Sequence, residues 1–106
     1  PTRRSSDLIA HTLRKNLTHL NTEIKVSNVA KAIGYGNAYA GFNVHWPKQG
    51  NIIVRVYSQN YIHIELHGPI AAILNGRHNF NQAHKASLFL HKLVMRDYVG
   101  AEAATR

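Results

Sequence analysis

Apolar residues near the start of the chain recur at steps of three and four positions. Leu13, Leu17 and Leu20 lie within residues 7 to 20, and polar or basic side chains separate them. This spacing is the one-sided stripe of an amphipathic helix. A second run of good helix formers, residues 82 to 99, predicts another helix. The folded part of the chain is therefore expected to begin and end with a helix.

The middle of the chain has a different period. Residues 40–46, 51–58 and 61–67 alternate apolar and polar positions and are rich in β-branched and aromatic side chains. This pattern predicts three antiparallel strands joined by short turns. Residues 23–33 fit either a strand or a helix. We favour a strand, because Gly-Tyr-Gly-Asn at 34–37 is typical of a hairpin turn.

These elements together predict a two-layer α+β fold. It consists of an N-terminal helix, an antiparallel meander of three to five strands and a C-terminal helix. Residues 69–76 could supply one of the additional strands, with Pro69 at its entry. A chain of 106 residues fits one such domain.

Alternate positions of the predicted strands separate into two unlike faces. One face is apolar and would pack against the helices: Phe42, Val44, Trp46, Ile52, Val54, Val56, Ile62, Ile64 and Leu66. The other mixes rings with cationic and titratable groups: Asn43, His45, Ile53, Arg55, Tyr57, Tyr61, His63, Glu65 and His67. A face of this kind is suited to stacking unpaired bases and holding phosphates. A solvated sheet face without a ligand tolerates the same residue types.

The second face supplies the candidate nucleic-acid-binding residues. A patch of basic residues on the last helix would flank them and hold phosphate. The candidates on the sheet are Arg55, Tyr57, Tyr61, His63 and His67, and the flanking patch is Lys85, Lys92 and Arg96. Binding without catalysis is the leading hypothesis.

The charge balance of the chain favours a polyanionic binding partner. Thirteen Lys and Arg against five Asp and Glu give a net charge of +8, which favours nucleic acid or an acidic protein surface. The absence of Cys excludes disulfides and thiolate metal sites. No long apolar run and no signal-like segment is present, so we expect a cytoplasmic protein that does not enter a membrane. No cofactor is predicted.

The sequence His-Ile-Glu-Leu-His at 63–67 raises the questions of a metal site and of catalysis. His63 and His67 lie about 13 Å apart along a strand, too far to share one ion. Glu65 with one of them and His45 of a neighbouring strand could still bind a divalent ion, but no metal site is predicted. His63 and Glu65 could instead act as general acid and base on RNA, with Arg55 stabilising the charged transition state. A third alternative is a protein-binding inhibitor that uses the same face.

The first eight residues resemble the translation of a widely used sequencing adapter. Pro-Thr-Arg-Arg-Ser-Ser-Asp-Leu matches that translation in order, so we interpret residues 1–8 as non-native. Two arginines and one aspartate fall in this segment, and the rest of the chain keeps a net charge of +7. We expect a single α+β domain over residues 9–99 and a flexible tail at 100–106.

Two short resemblances bear on origin and function. Leu-Arg-Lys-Asn-Leu at 13–17, Ile-Lys-Val-Ser at 24–27 and Phe-Asn-Val-His-Trp at 42–46 together resemble the opening of small α/β domains in large polyvalent proteins of phages and conjugative plasmids. This resemblance implies a mobile-element context rather than a particular activity. Residues 29–42 also resemble the recognition part of AraC-type helix-turn-helix regulators, which would imply a helix there.

Overall fold

The computed structural model of the chain describes residues 2–106, and side-chain surroundings from Ser5 onward. The helices are α1 (Thr2–Leu17), α2 (Pro69–Leu74), α3 (Ala83–Val94) and α4 (Tyr98–Ala104). The strands are β1 (Lys25–Val26), β2 (Ala30–Gly34), β3 (Asn37–Trp46), β4 (Gly50–Ser58), β5 (Tyr61–His67) and β6 (Arg77–Phe80).

All described strands belong to one antiparallel sheet. Its order is β1-β3-β4-β5-β6, and β2 also pairs with β3, on the same edge as β1. The helices pack on one face of this sheet, with α1 against β3 and β4 and α3 against β5 and β6. The predicted two-layer α+β fold is confirmed.

A tight hairpin joins β2 to β3. Tyr35 and Gly36 both have positive φ angles, 53° and 80°, as a two-residue type I′ turn requires, and Gly adopts such angles without steric cost. The strand predicted within residues 23–33 is therefore confirmed as β2. The helix implied by the AraC-type resemblance at 29–42 is wrong, since β2 and β3 occupy that segment.

The core lies between the helices and the apolar face that the alternation predicted. Every member of that predicted face is at most 3% exposed. The helices contribute the opposite wall of the core, which is Ala10, Leu13, Leu17, Ile70, Leu74, Ala86, Phe89, Leu90, Leu93, Val94, Ala101 and Ala104. Burial of this single apolar layer is the main source of stability.

Two predicted elements are corrected between β5 and the end of the chain. Residues 69–76 do not form a strand, because Pro69–Leu74 is α2, with Pro69 in its first turn and Ile70 and Leu74 buried one turn apart. The expected flexible tail at 100–106 is wrong for its first five residues, which belong to α4. Ala101 and Ala104 recur at a helical spacing and pack into the core.

The first helix is longer at its start than the prediction of residues 7–20, and it ends at Leu17. Ser6 Oγ donates a hydrogen bond to the Tyr57 carbonyl at 3.0 Å, and Asp7 pairs with Lys31 at 2.8 Å. The interpretation of residues 1–8 as adapter-derived stays a prediction, and Pro1 lies outside the described residues. In the described part of the chain, every helix is too short or too polar to cross a bilayer.

Candidate nucleic-acid interface

The sheet face opposite the helices, here called the open face, is uncovered by any described element. Neighbouring strands place its side chains in rows across the sheet, because paired residues of antiparallel strands point the same way. One row runs through Ala30, Gly41, Arg55, His63 and Asn79, each paired with the next. The next two rows are Asn43, Ile53, Glu65 and Arg77, and then Lys25, His45, Asn51 and His67.

Three tyrosines form a row of their own, here called the tyrosine row, at the β2–β3 hairpin end of the open face. The ring centroids of Tyr39 and Tyr57 are 5.3 Å apart, and those of Tyr57 and Tyr61 are 5.2 Å apart with the rings only 22° from parallel. A register shift between Val56 and Ser58 places Tyr57 at a bulge, an irregularity that redirects side chains. Tyr61, at the end of the row, is 48% exposed and offers a free ring surface.

Arg55 lies against the tyrosine row. Its guanidinium carbon is 5.1 Å from the centroid of Tyr39, a cation–π geometry. Gly34 leaves the space in which these groups meet, since a Cβ there would lie 2.8 Å from Tyr57 Oη and 3.5 Å from Arg55 Nη1. Tyr57 is therefore held beside a permanently charged group.

The electrostatic surroundings keep Arg55 charged. Burial acts to lower the pKa of Arg55, but the adjacent Tyr57 hydroxyl, together with Tyr39 and Glu65, outweighs it and raises the pKa above its ordinary value. Arg55 Nε and Tyr57 Oη nevertheless have no partner in hydrogen-bonding geometry among the described residues. The Arg–Tyr contact is thus a close approach rather than a well-formed hydrogen bond, and both atoms keep unused hydrogen-bonding capacity.

A network of paired polar side chains occupies the β5–β6 side of the open face. His63 Nδ1 donates to Asn79 Oδ1 at 2.7 Å, and His63 Nε2 lies 3.6 Å from Glu65 Oε2. Arg77 Nε lies 3.6 Å from the other oxygen of Glu65. The side chains of His63 and Glu65 are each only 13% exposed. Asn79 thus engages His63 Nδ1, while Nε2 faces the Glu65 carboxylate from beyond hydrogen-bonding distance.

The structure separates the predicted site residues into two groups. Arg55, Tyr57, Tyr61, His63 and His67 all lie on the open face. The three basic residues of the predicted phosphate patch lie on α3 or just beyond its end, and each has a partner within the protein. Lys85 Nζ donates to the Arg106 carbonyl at 3.4 Å, Lys92 pairs with Asp97 at 3.5 Å, and Arg96 pairs with Glu23 at 3.2 Å while lying over the Trp46 ring.

Sequence reasoning missed several residues of the open face, among them Asn51 near the start of β4. Tyr39 continues the alternation of β3 by one step beyond the predicted start of that strand, so the pattern could have found it. Lys25 stands on the two-residue strand β1, and Arg77 and Asn79 stand on the unpredicted strand β6. Neither strand contains an apolar run long enough to mark it in the sequence.

The described residues contain no cluster of three or more His, Cys, Asp or Glu side chains arranged to hold a metal ion. Comparison of the chain with protein-family models, with curated proteins and with solved structures finds no match. The case for a function consequently depends on the side chains themselves.

Proposed function

We propose that this protein is a nucleic-acid-binding module that takes unpaired strands on its open face. The observation that carries the proposal is the tyrosine row beside Arg55 on a sheet face that no described element covers. Base–aromatic stacking is a sequence-tolerant source of affinity for single strands, worth about 1–3 kcal/mol per base. A cytoplasmic location and a phage or plasmid origin belong to the same proposal.

The accessible ring surface favours single strands over a duplex. Tyr61 is half exposed and stacks on Tyr57 from one side only, so a base can add to the outer side of the stack. Bases of a duplex are already stacked on one another and present only their edges, whereas the splayed bases of a single strand present their faces. Binding should therefore be weaker for a duplex of the same sequence.

The charges of the open face suit a phosphate backbone. Glu65 is the one acidic side chain on the described strands of this face, and Arg77 and His63 lie against it. Lys25 is exposed and has no ion-pair partner among the described residues. With a net charge of +8 over the whole chain, encounter with a polyanion is favoured at long range.

The test is a salt-titrated binding assay with single-stranded RNA, single-stranded DNA and a matched duplex. Replacing Arg55→Ala and Tyr57→Ala together should weaken single-strand binding by about tenfold or more, since it removes a cation and a stacking surface. Circular dichroism of the double variant checks that the fold is retained. Binding that is unchanged in a folded double variant would contradict the proposed face.

Catalysis by His63, Glu65 and Arg55 is the less supported alternative. A general acid or base must reach the reacting atom with a free proton-transfer position, whereas both ring nitrogens of His63 face protein side chains. Cleavage of RNA that is lost in His63→Ala while binding persists would favour this alternative over simple binding.

A protein partner is the third candidate, and one observation favours it. The β2–β3 hairpin exposes 76% of Ile33 and 82% of Tyr35, beside a cavity of about 720 Å³ that Ile33, Ala38 and Tyr39 help to line. Exposed apolar patches of this kind are common at protein interfaces. Salt-sensitive binding to an acidic protein, with no binding to nucleic acid, would support this alternative.

A further inference from the structure

A second concave site lies on the open face, at the opposite end from the tyrosine row. It is a cavity of about 480 Å³ and is here called the amide pocket. Its wall and floor include Lys25, Val26, Asn43, His45, Asn51 and Ile53. Val26 and Ile53 give it apolar surface, and the other four side chains bring hydrogen-bonding groups to its rim. This mixture is typical of small-ligand sites.

The polar groups of the amide pocket have unused capacity. His45 Nδ1 lies 2.8 Å from Asn51 Oδ1. An amide oxygen only accepts, so the tautomer that makes this hydrogen bond carries its hydrogen on Nδ1 and has Nε2 as an acceptor. Asn51 then offers its amide nitrogen as a donor. The carboxamide of Asn43 and the ammonium of Lys25 have no hydrogen-bond partner among the described residues.

The unpartnered carboxamide of Asn43 contrasts with that of Asn79, which also lies on the open face. The Asn79 side chain is hydrogen-bonded to His63, and His63 in turn lies against Glu65. The β5–β6 side of the face is therefore satisfied internally, while the amide pocket has an acceptor, a free carboxamide and a cation around an apolar floor. A ligand with a flat apolar face, a donor–acceptor edge and a negative charge nearby would satisfy all of them.

We propose that the amide pocket recognises one unpaired adenine of a bound single strand, an inference that rests on the proposed nucleic-acid-binding function. A carboxamide pairs with adenine through two hydrogen bonds, one to N7 and one from the amino group at N6. Asn43 supplies this pair, and His45 Nε2 accepts from the same amino group. Guanine carries a carbonyl oxygen at that position, which would meet the His45 acceptor unfavourably. Ile53 contacts the base face, and Lys25 pairs with the adjoining phosphate.

The position of the amide pocket fits one strand crossing the open face. Tyr39 and Asn43 lie four residues apart on β3, which is about 13 Å along an antiparallel strand. A short oligonucleotide can therefore stack on the tyrosine row and place a later base in the amide pocket. The tyrosine row would supply affinity for any base, and the pocket would supply the preference.

The test compares uridine-rich RNA strands of equal length that carry one central adenosine, cytidine or guanosine. The adenosine strand should bind about tenfold more tightly than the guanosine strand, as one bidentate contact allows. Asn43→Ala should remove this ratio, whereas Asn16→Ala, an exposed asparagine on α1, should leave it unchanged.

The outcomes separate the two proposals. Binding of all strands with equal affinity, or a preference that survives Asn43→Ala, overturns the adenine pocket and leaves the proposed function standing. No measurable binding of any strand overturns both. A preference for guanosine that depends on Asn43 overturns the assignment of adenine.

Discussion

The two faces of the sheet are built from alternate residues of the same strands and have opposite characters. Ile64 is fully buried beneath the helices, and the next residue, Glu65, belongs to the polar network of the open face. On the inner face, apolar area removed from water stabilises the fold. On the open face, the ring of Tyr61, the carboxamide of Asn43 and the ammonium of Lys25 remain exposed. Stability and recognition are therefore assigned to separate sets of side chains, and substitutions can test them separately.

The largest expected effect is a difference in stability between two isoleucine substitutions, one on each face of the sheet. Ile64→Ala should lower the free energy of unfolding by about 2–5 kcal/mol, because it leaves a cavity in the core. Ile53→Ala, on the open face and only partly buried, should cost less than about 1.5 kcal/mol, since less area is removed from contact. Urea denaturation of both variants measures the difference. Equal losses would contradict the division between the faces.

The second effect is a loss of affinity for RNA when a ring of the tyrosine row is removed. Tyr61→Ala should weaken affinity for single-stranded RNA roughly 5- to 150-fold, the equivalent of one lost stacking contact. Tyr35→Asn is the matched control, because Tyr35 is exposed at the hairpin tip and Asn accepts its positive φ angle. Fluorescence anisotropy measures both. An equal loss of affinity in the two variants would contradict the role of the tyrosine row in binding.

A smaller effect should appear in the salt dependence. Lys25→Gln should reduce the slope of log affinity against log salt concentration by about 0.7, the value for one phosphate contact on a single strand. Lys15→Gln removes the same charge from the exposed side of α1 and should leave the slope unchanged. If both variants reduce the slope equally, binding follows net charge and not the open face.

The smallest effect is a pH dependence of stability away from the open face. The N–H of Gly100, and to a lesser extent Lys92, lowers the pKa of Asp97, although burial opposes this. A carboxyl whose pKa is lower when folded contributes stability above its unfolded-state value of about 3.9, and this is lost as pH falls through the folded value. The protein should thus be more stable than the Asp97→Asn variant at neutral pH, and this difference in stability should shrink below about pH 4. Thermal unfolding at several pH values measures it, and a constant difference would contradict the assignment.

Sequence periodicity was sufficient for the three central strands because the alternation persists along most of each strand, despite Ile53 on the polar face and the bulge at Tyr57. It was insufficient where the signal was short. The apolar run at 70–74 has the length of a strand, and only its packing against β4, β5 and α4 distinguishes it as α2. Lys92 pairs with Asp97 just beyond the end of α3, and Arg96 pairs with Glu23 in a distant turn, so helical spacing could not reveal these ion pairs. The amide pocket likewise depends on the pairing of β1 with β3.

The most direct test of the central claim is a map of amide chemical shifts as single-stranded RNA is added to the isotopically labelled protein. We expect the largest changes on β3, β4 and β5 of the open face, centred on the tyrosine row and reaching Asn43 and His45. The exposed residues of α1 and α3 should shift little. Changes confined to the helices, or to the exposed tip of the β2–β3 hairpin, would contradict the assignment of the open face as the binding surface.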